Sequence, residues 1–110
     1  MSIWRDTEIE ITGSKELLED IYNAIVICND PPLVLEDDSA NNWCGNILKR
    51  LHINIKKYCE CAFWSNPRFN KYGHLVFDET SRNERTYVAN ALLDKYFPEI
   101  SGVNYTKTNY

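Results

Sequence analysis

The side chains best equipped for chemistry in this 110-residue chain are four thiols and two imidazoles: Cys28, Cys44, Cys59, Cys61, His52 and His74. A zinc site usually takes ligand pairs two to four residues apart, repeated twice. Here the only close pair is Cys59-Glu60-Cys61, while Cys28 and Cys44 stand alone. Residues two apart share one face of a strand, so the pair is expected to pack inward, and all four cysteines are expected as buried free thiols. Nucleophilic catalysis needs a Cys or Ser held beside a base, and nothing in the spacing brings His52 or His74 to one. The adjacent carboxylates Glu36, Asp37 and Asp38 have the look of a solvated loop. Gly13, Gly45, Gly73 and Gly102 are scattered and make no phosphate-cradling loop. The expectation is therefore no catalytic residue, no metal and no cofactor, in a protein that is not an enzyme.

The elements that must position these groups come from an ordinary globular composition: 44% hydrophobic, 25% charged and 13% aromatic residues. One domain over residues 1–110 is expected. No apolar run approaches the ~20 residues of a membrane helix. Met1–Asp6 lacks a basic region followed by an apolar stretch, so a cytoplasmic, reducing setting is expected. Charge is unevenly spread. Residues 1–40 hold ten acids and two bases, and residues 41–110 hold ten bases and six acids. Such asymmetry points to a charged partner on one side.

Residues 7–12 alternate Glu8/Ile9/Glu10/Ile11, the period of a half-buried strand. Gly13-Ser14 breaks it, and Ser14 is placed to cap a helix with Glu16 and Glu19 near its start and Leu17, Leu18, Ile21, Tyr22 and Ile25 on one stripe. Asp30-Pro31-Pro32 ends that helix. Leu33-Val34-Leu35 reads as an edge strand or packed loop. Asn42 is placed to cap a short second helix bearing Trp43, Ile47, Leu48 and Leu51. Residues 58–64 alternate as a strand with Cys59, Cys61 and Phe63 inward and Tyr58, Glu60, Ala62 and Trp64 outward. A long loop, 65–73, leads to a strand at 74–78 with Leu75 and Phe77 inward. A third helix is expected to open at Asn83 and close before Pro98, and a last strand to run over 103–107. The plan is βαββαβ with one extra short helix in the first crossover: an α+β, ferredoxin-like sandwich, its four-stranded antiparallel sheet covered by helices on one face. The expected core is Ile9, Ile11, Leu17, Leu18, Ile21, Ile25, Phe63, Leu75, Phe77, Val88, Leu92 and Val103.

Asn42-Trp43-Cys44-Gly45-Asn46-Ile47, with Gly73-His74-Leu75-Val76-Phe77-Asp78, Thr80 and Tyr96-Phe97-Pro98-Glu99-Ile100, resembles the YubB-type ferredoxin-like domains of phage and plasmid proteins, in their Bacteroidetes-like branch. Cys44 stands where that family usually has Leu, and Cys59-Glu60-Cys61 replaces its C-R-G element. The resemblance covers about residues 7–105 and implies a mobile-element setting. It carries over no catalytic residue.

Binding is the remaining function class. The uncovered sheet face is expected to offer Trp64 for base stacking, as RNA-recognition domains do, with Lys56, Lys57, Arg68 and Lys71 near it in sequence. The loop bearing Arg68, Phe69, Lys71 and Tyr72 has the aromatic-plus-arginine composition of a protein-interface hot spot. Glu36, Asp37 and Asp38 form an alternative, acidic contact. The expected role is inhibition of a host effector, a CRISPR nuclease or another nucleic-acid-handling complex, with possible guide-RNA contact, as anti-CRISPR proteins act. A nucleic-acid-binding accessory protein and a toxin immunity protein are the alternatives.

Overall fold

The fold is described here from a computed structural model that covers residues 4–29, 43–53, 62–82 and 87–109. Its elements run β1 (Trp4–Gly13), α1 (Lys15–Cys28), α2 (Cys44–Arg50), β2 (Ala62–Phe69), β3 (Leu75–Arg82), α3 (Asn90–Tyr96) and β4 (Ile100–Asn109). The four strands form one antiparallel sheet in the order β2-β3-β1-β4. This is the expected ferredoxin-like topology with the extra helix α2. Leu33–Leu35, the Asn42 cap, Cys59, Cys61 and the helix opening at Asn83 lie outside the described residues.

Local chemistry accounts for most of these bounds. The Ser14 hydroxyl accepts from the Leu17 amide and starts α1, whose buried stripe is Leu17, Leu18, Ile21, Ala24, Ile25 and Cys28. A side chain on Gly13 would strike the Glu99 carbonyl, so the strand-to-helix corner needs its bare backbone there. The Asn29 side chain closes the other end of α1 by donating to the Ile25 carbonyl at 2.7 Å, and it donates at 3.0 Å to the Trp64 carbonyl of β2. α2 starts under the Trp43 indole, which packs on the core and lies where a side chain on Gly45 would be. At its far end His52 adopts a φ of 60°. The Leu51 and His52 carbonyls there accept from Lys95 Nζ at 3.0 and 2.8 Å, and Leu51 also accepts from the Tyr96 hydroxyl at 3.0 Å. α3 thus clamps α2.

The sheet's helix-covered face buries Ile9, Ile11, Leu75, Phe77, Ala62 and Trp64, and α1, α2 and α3 add Leu18, Ile21, Ile47, Leu48 and Leu92. Two expectations about this core need correction. Phe63 is half-buried and faces the other way, because the inward positions of β2 are 62 and 64; Val103 is only half-buried, although it packs against the core. α3 begins at Asn90, later than expected, after a tight turn at Tyr87 in which the Asn90 amide donates to the Tyr87 carbonyl.

The segment 65–73 is not a long loop. β2 runs on to Phe69, and the reversal to β3 is a short turn. The Gly73 amide donates to the Asn70 carbonyl, the Asn70 amide to the His74 carbonyl, and Gly73 takes a φ of 77°. What disguises the strand is a bulge. Ser65 pairs with Asp78 and Arg68 with Val76, so Asn66 and Pro67 together oppose Phe77.

Candidate functional site: the acidic open face of the sheet

The bulge decides which side chains reach the uncovered face. Before it, even-numbered residues of β2 point to the helix-covered side; after it, odd-numbered ones do. Without the extra residue Arg68 would follow Ala62 and Trp64 inward. With it, Arg68 turns outward over β3 and β1 and Phe69 turns to the helix side, where it stays exposed and its ring meets Tyr22 of α1 at 5.2 Å between centroids. Asn66 supplies the left-handed residue of the bulge, with a φ of 55°.

On β1 the outward positions are Asp6, Glu8 and Glu10, and on β3 they are Val76, Asp78 and Thr80, with His74 just before the strand. Cross-strand pairing sets Glu8 beside Asp78 and Asp6 beside Thr80. Like charges directly opposite repel, and Arg68 relieves that repulsion. Its guanidinium reaches Glu8 at 2.9 Å and Asp78 at 3.1 Å, and it also donates to the Asn66 carbonyl at 2.8 Å. Asn66 donates to the second oxygen of Asp78 at 3.1 Å. Thr80 donates to Asp6 at 2.8 Å. At the turn end, Glu10 receives Asn70 Nδ2 at 2.6 Å and lies 3.0 Å from His74 Nδ1. The hydrogen bond from His74, followed by that from Asn70, holds the Glu10 carboxyl below its ordinary range against the opposing effect of partial burial.

Among the described side chains, this face carries four carboxylates, one guanidinium and one imidazole, each fixed by at least one side-chain hydrogen bond. Two shallow depressions open on it. One of about 340 Å³ is lined by Asp6, Glu8, Ser65, Arg68, Asp78 and Thr80. The other, of about 450 Å³, lies by Glu10, Phe69, Asn70, Val76 and Thr106. Beside them stands the turn. Asn70 Oδ1 accepts from the Tyr72 and His74 amides, both at 3.0 Å, and this locks a tip on which Tyr72 is 69% exposed. Tyr72 lies 5.8 Å from the His74 ring, with Lys71 Nζ 5.1 Å from its own centroid.

The sequence-derived site residues therefore separate. Trp64 is corrected outright: it is fully buried on the helix side, packs on Phe77 at 4.8 Å and donates its indole N–H to the buried Glu79 at 2.9 Å. It is not available for base stacking. Ala62 is buried too, so the aromatic open face expected from β2 does not exist in that form. Arg68 and Phe69, expected side by side at one contact, leave the strand on opposite faces. Lys71 and Tyr72 do share the tip. Lys56, Lys57, Glu36, Asp37 and Asp38 lie outside the described residues. The carboxylates Asp6, Glu8, Glu10 and Asp78 form a group that sequence reasoning did not assemble. The signal for three of them was present in the strand alternation of β1, which names a polar face as surely as an apolar one.

Among the described residues no three His, Cys, Asp or Glu side chains are arranged to hold a metal ion. Cys28 and Cys44 are buried and form no disulfide, and burial pushes the Cys28 thiol up despite the opposing charge of Arg50. No helix described is long and apolar enough to cross a membrane. No protein-family model, no curated protein and no solved structure matches the chain.

Proposed function

We propose that the protein works by binding, and that its acidic sheet face engages a basic surface of a partner protein. The observation that carries this reading is the row Asp6, Glu8, Glu10 on β1 with Asp78 alongside, carboxylates held in place on two neighbouring strands. Alternate strand positions lie about 6.8 Å apart, so the row is a rigid, regularly spaced line of negative charge. A surface of that kind repels phosphates and attracts the Lys- and Arg-lined channels that hold them. The partner class that fits is a nucleic-acid-handling effector, and within it a host CRISPR nuclease, which the protein blocks as a nucleic-acid mimic. The motif resemblance to phage and plasmid domains supports the mobile-element setting of such an inhibitor. The exposed Tyr72 on its locked turn supplies an aromatic anchor at the rim, where ordering costs little.

The test is cleavage by guide-loaded CRISPR effectors titrated with the purified protein. Near-stoichiometric inhibition is expected, with no consumption of guide or target RNA. The Asp6→Asn, Glu8→Gln double variant should weaken inhibition at least ~tenfold while keeping its circular dichroism, and Tyr72→Ala should weaken it by a comparable factor. Undiminished inhibition by the carboxylate variant would remove the acidic face from the interface. Turnover of RNA by the protein alone would replace a binder with an enzyme.

A further inference from the structure

The two edges of the sheet are finished differently. β2, at one edge, carries Pro67 within its bulge, and its outer side is bridged by Trp43 opposite Phe63. Both devices stop another strand from adding there. β4, at the other edge, contains no proline, and Lys107 is the only charged residue in Ile100–Asn109. Among the described residues no further strand pairs with it. Its register against β1 shifts twice, at Ser101 and at Thr106, and both hydroxyls donate back to β1, to the Thr12 and Glu8 carbonyls at 3.3 and 3.2 Å. Between these bulges Gly102–Tyr105 pairs regularly with Ile9–Thr12.

We propose that this segment of β4 pairs antiparallel with the same segment of a second copy, about a two-fold axis at Asn104, joining two four-stranded sheets into one of eight. Three features select a second copy over another occupant. Asn104 is exposed on the open face, and its amide is both donor and acceptor, so it can satisfy its own image across the axis. The same axis sets Val103 of one copy opposite Tyr105 of the other on the helix side, a β-branched–aromatic pair that stabilises cross-strand neighbours. Beside this pair, Tyr87 packs edge-on against Tyr105 at 4.9 Å, close to the axis, and is itself 50% exposed. An uncharged segment meets itself without repulsion in a protein whose neighbouring strand is acidic. Because both copies use β4 and the β2 edge is blocked, the assembly closes as a dimer and does not grow into a fibre.

Sedimentation equilibrium of the full chain is expected to show a reversible dimer of twice 12.9 kDa. Asn104→Glu and Asn104→Lys each place like charges on the axis and should each raise the dissociation constant at least ~tenfold. An equimolar mixture of the two variants should recover association, since a carboxylate of one copy then faces an ammonium of the other across the axis. Circular dichroism of each variant checks that it folds. A wild-type chain still monomeric at about 100 µM, well above the range of specific interfaces, overturns the proposal. A dimer indifferent to both charges, or variants that fail to recover on mixing, overturns it equally.

Discussion

The two faces of the sheet use the same strands for opposite purposes, and β2 shows the contrast within five residues. Trp64, on the covered face, is enclosed by Phe77 and the helices, and its one polar atom is matched to Glu79. Arg68, beyond the bulge, lies on the open face between Glu8 and Asp78, with side chains more than one-third exposed. Both residues hold a carboxylate, but one does so out of water and the other in it. A buried hydrogen bond that loses one partner leaves a polar group short of a bond out of water, whereas a surface pair exchanges its partner for solvent. The covered face should therefore govern stability and the open face recognition.

Substitutions on the two faces can break that division. Trp64→Ala removes the largest buried side chain and the Glu79 donor together, and should cost about 3–5 kcal/mol in urea unfolding. Trp64→Phe keeps most of the packing and deletes only the indole N–H; about 1–3 kcal/mol is expected, the penalty of leaving Glu79 short of a donor. Arg68→Ala on the open face should cost less than ~1 kcal/mol. A loss from Arg68→Ala equal to that from Trp64→Phe would show the acidic face to be a structural element in its own right.

The smallest expected effect sharpens the contrast through pH. The Glu10 carboxyl is lowered in the folded chain, chiefly by His74. Its contribution is complete above its unfolded value and disappears as pH falls below 4.5 through the lowered folded value. Between about pH 6 and 3 the urea midpoint of Glu10→Gln should therefore fall less steeply than that of the wild type. Parallel slopes would mean that the Glu10–His74 contact is not maintained in solution.

The topology was legible because it rests on local signals: the 8–11 alternation, the Ser14 cap, the stripe from Leu17 to Ile25, and Leu75 with Phe77. The core followed from the same periodicities except in β2 and at Val103 of β4. There, Cys59, Cys61 and Phe63 offer an alternation as regular as that of Ala62 and Trp64, and composition prefers neither phase. Pro67 and Asn66 read as turn residues, which is their usual meaning, and so they hide the second half of the strand behind the look of a loop.

What the amino-acid order determined by itself is which segments pair and pack, since burial of Ile9, Ile21, Phe77 and Leu92 satisfies one arrangement of strands and helices. What only the tertiary structure decided is the facing of β2 and, with it, the character of the open surface. Side-chain direction in a strand has a period of two, so one inserted residue reverses everything beyond it. That insertion is visible only against the partner strand, where Asn66 and Pro67 share the single position opposite Phe77. It moved Arg68 out to the carboxylates of β1 and β3, left Trp64 in the core, and made an acidic surface where β2 alone suggested an aromatic one.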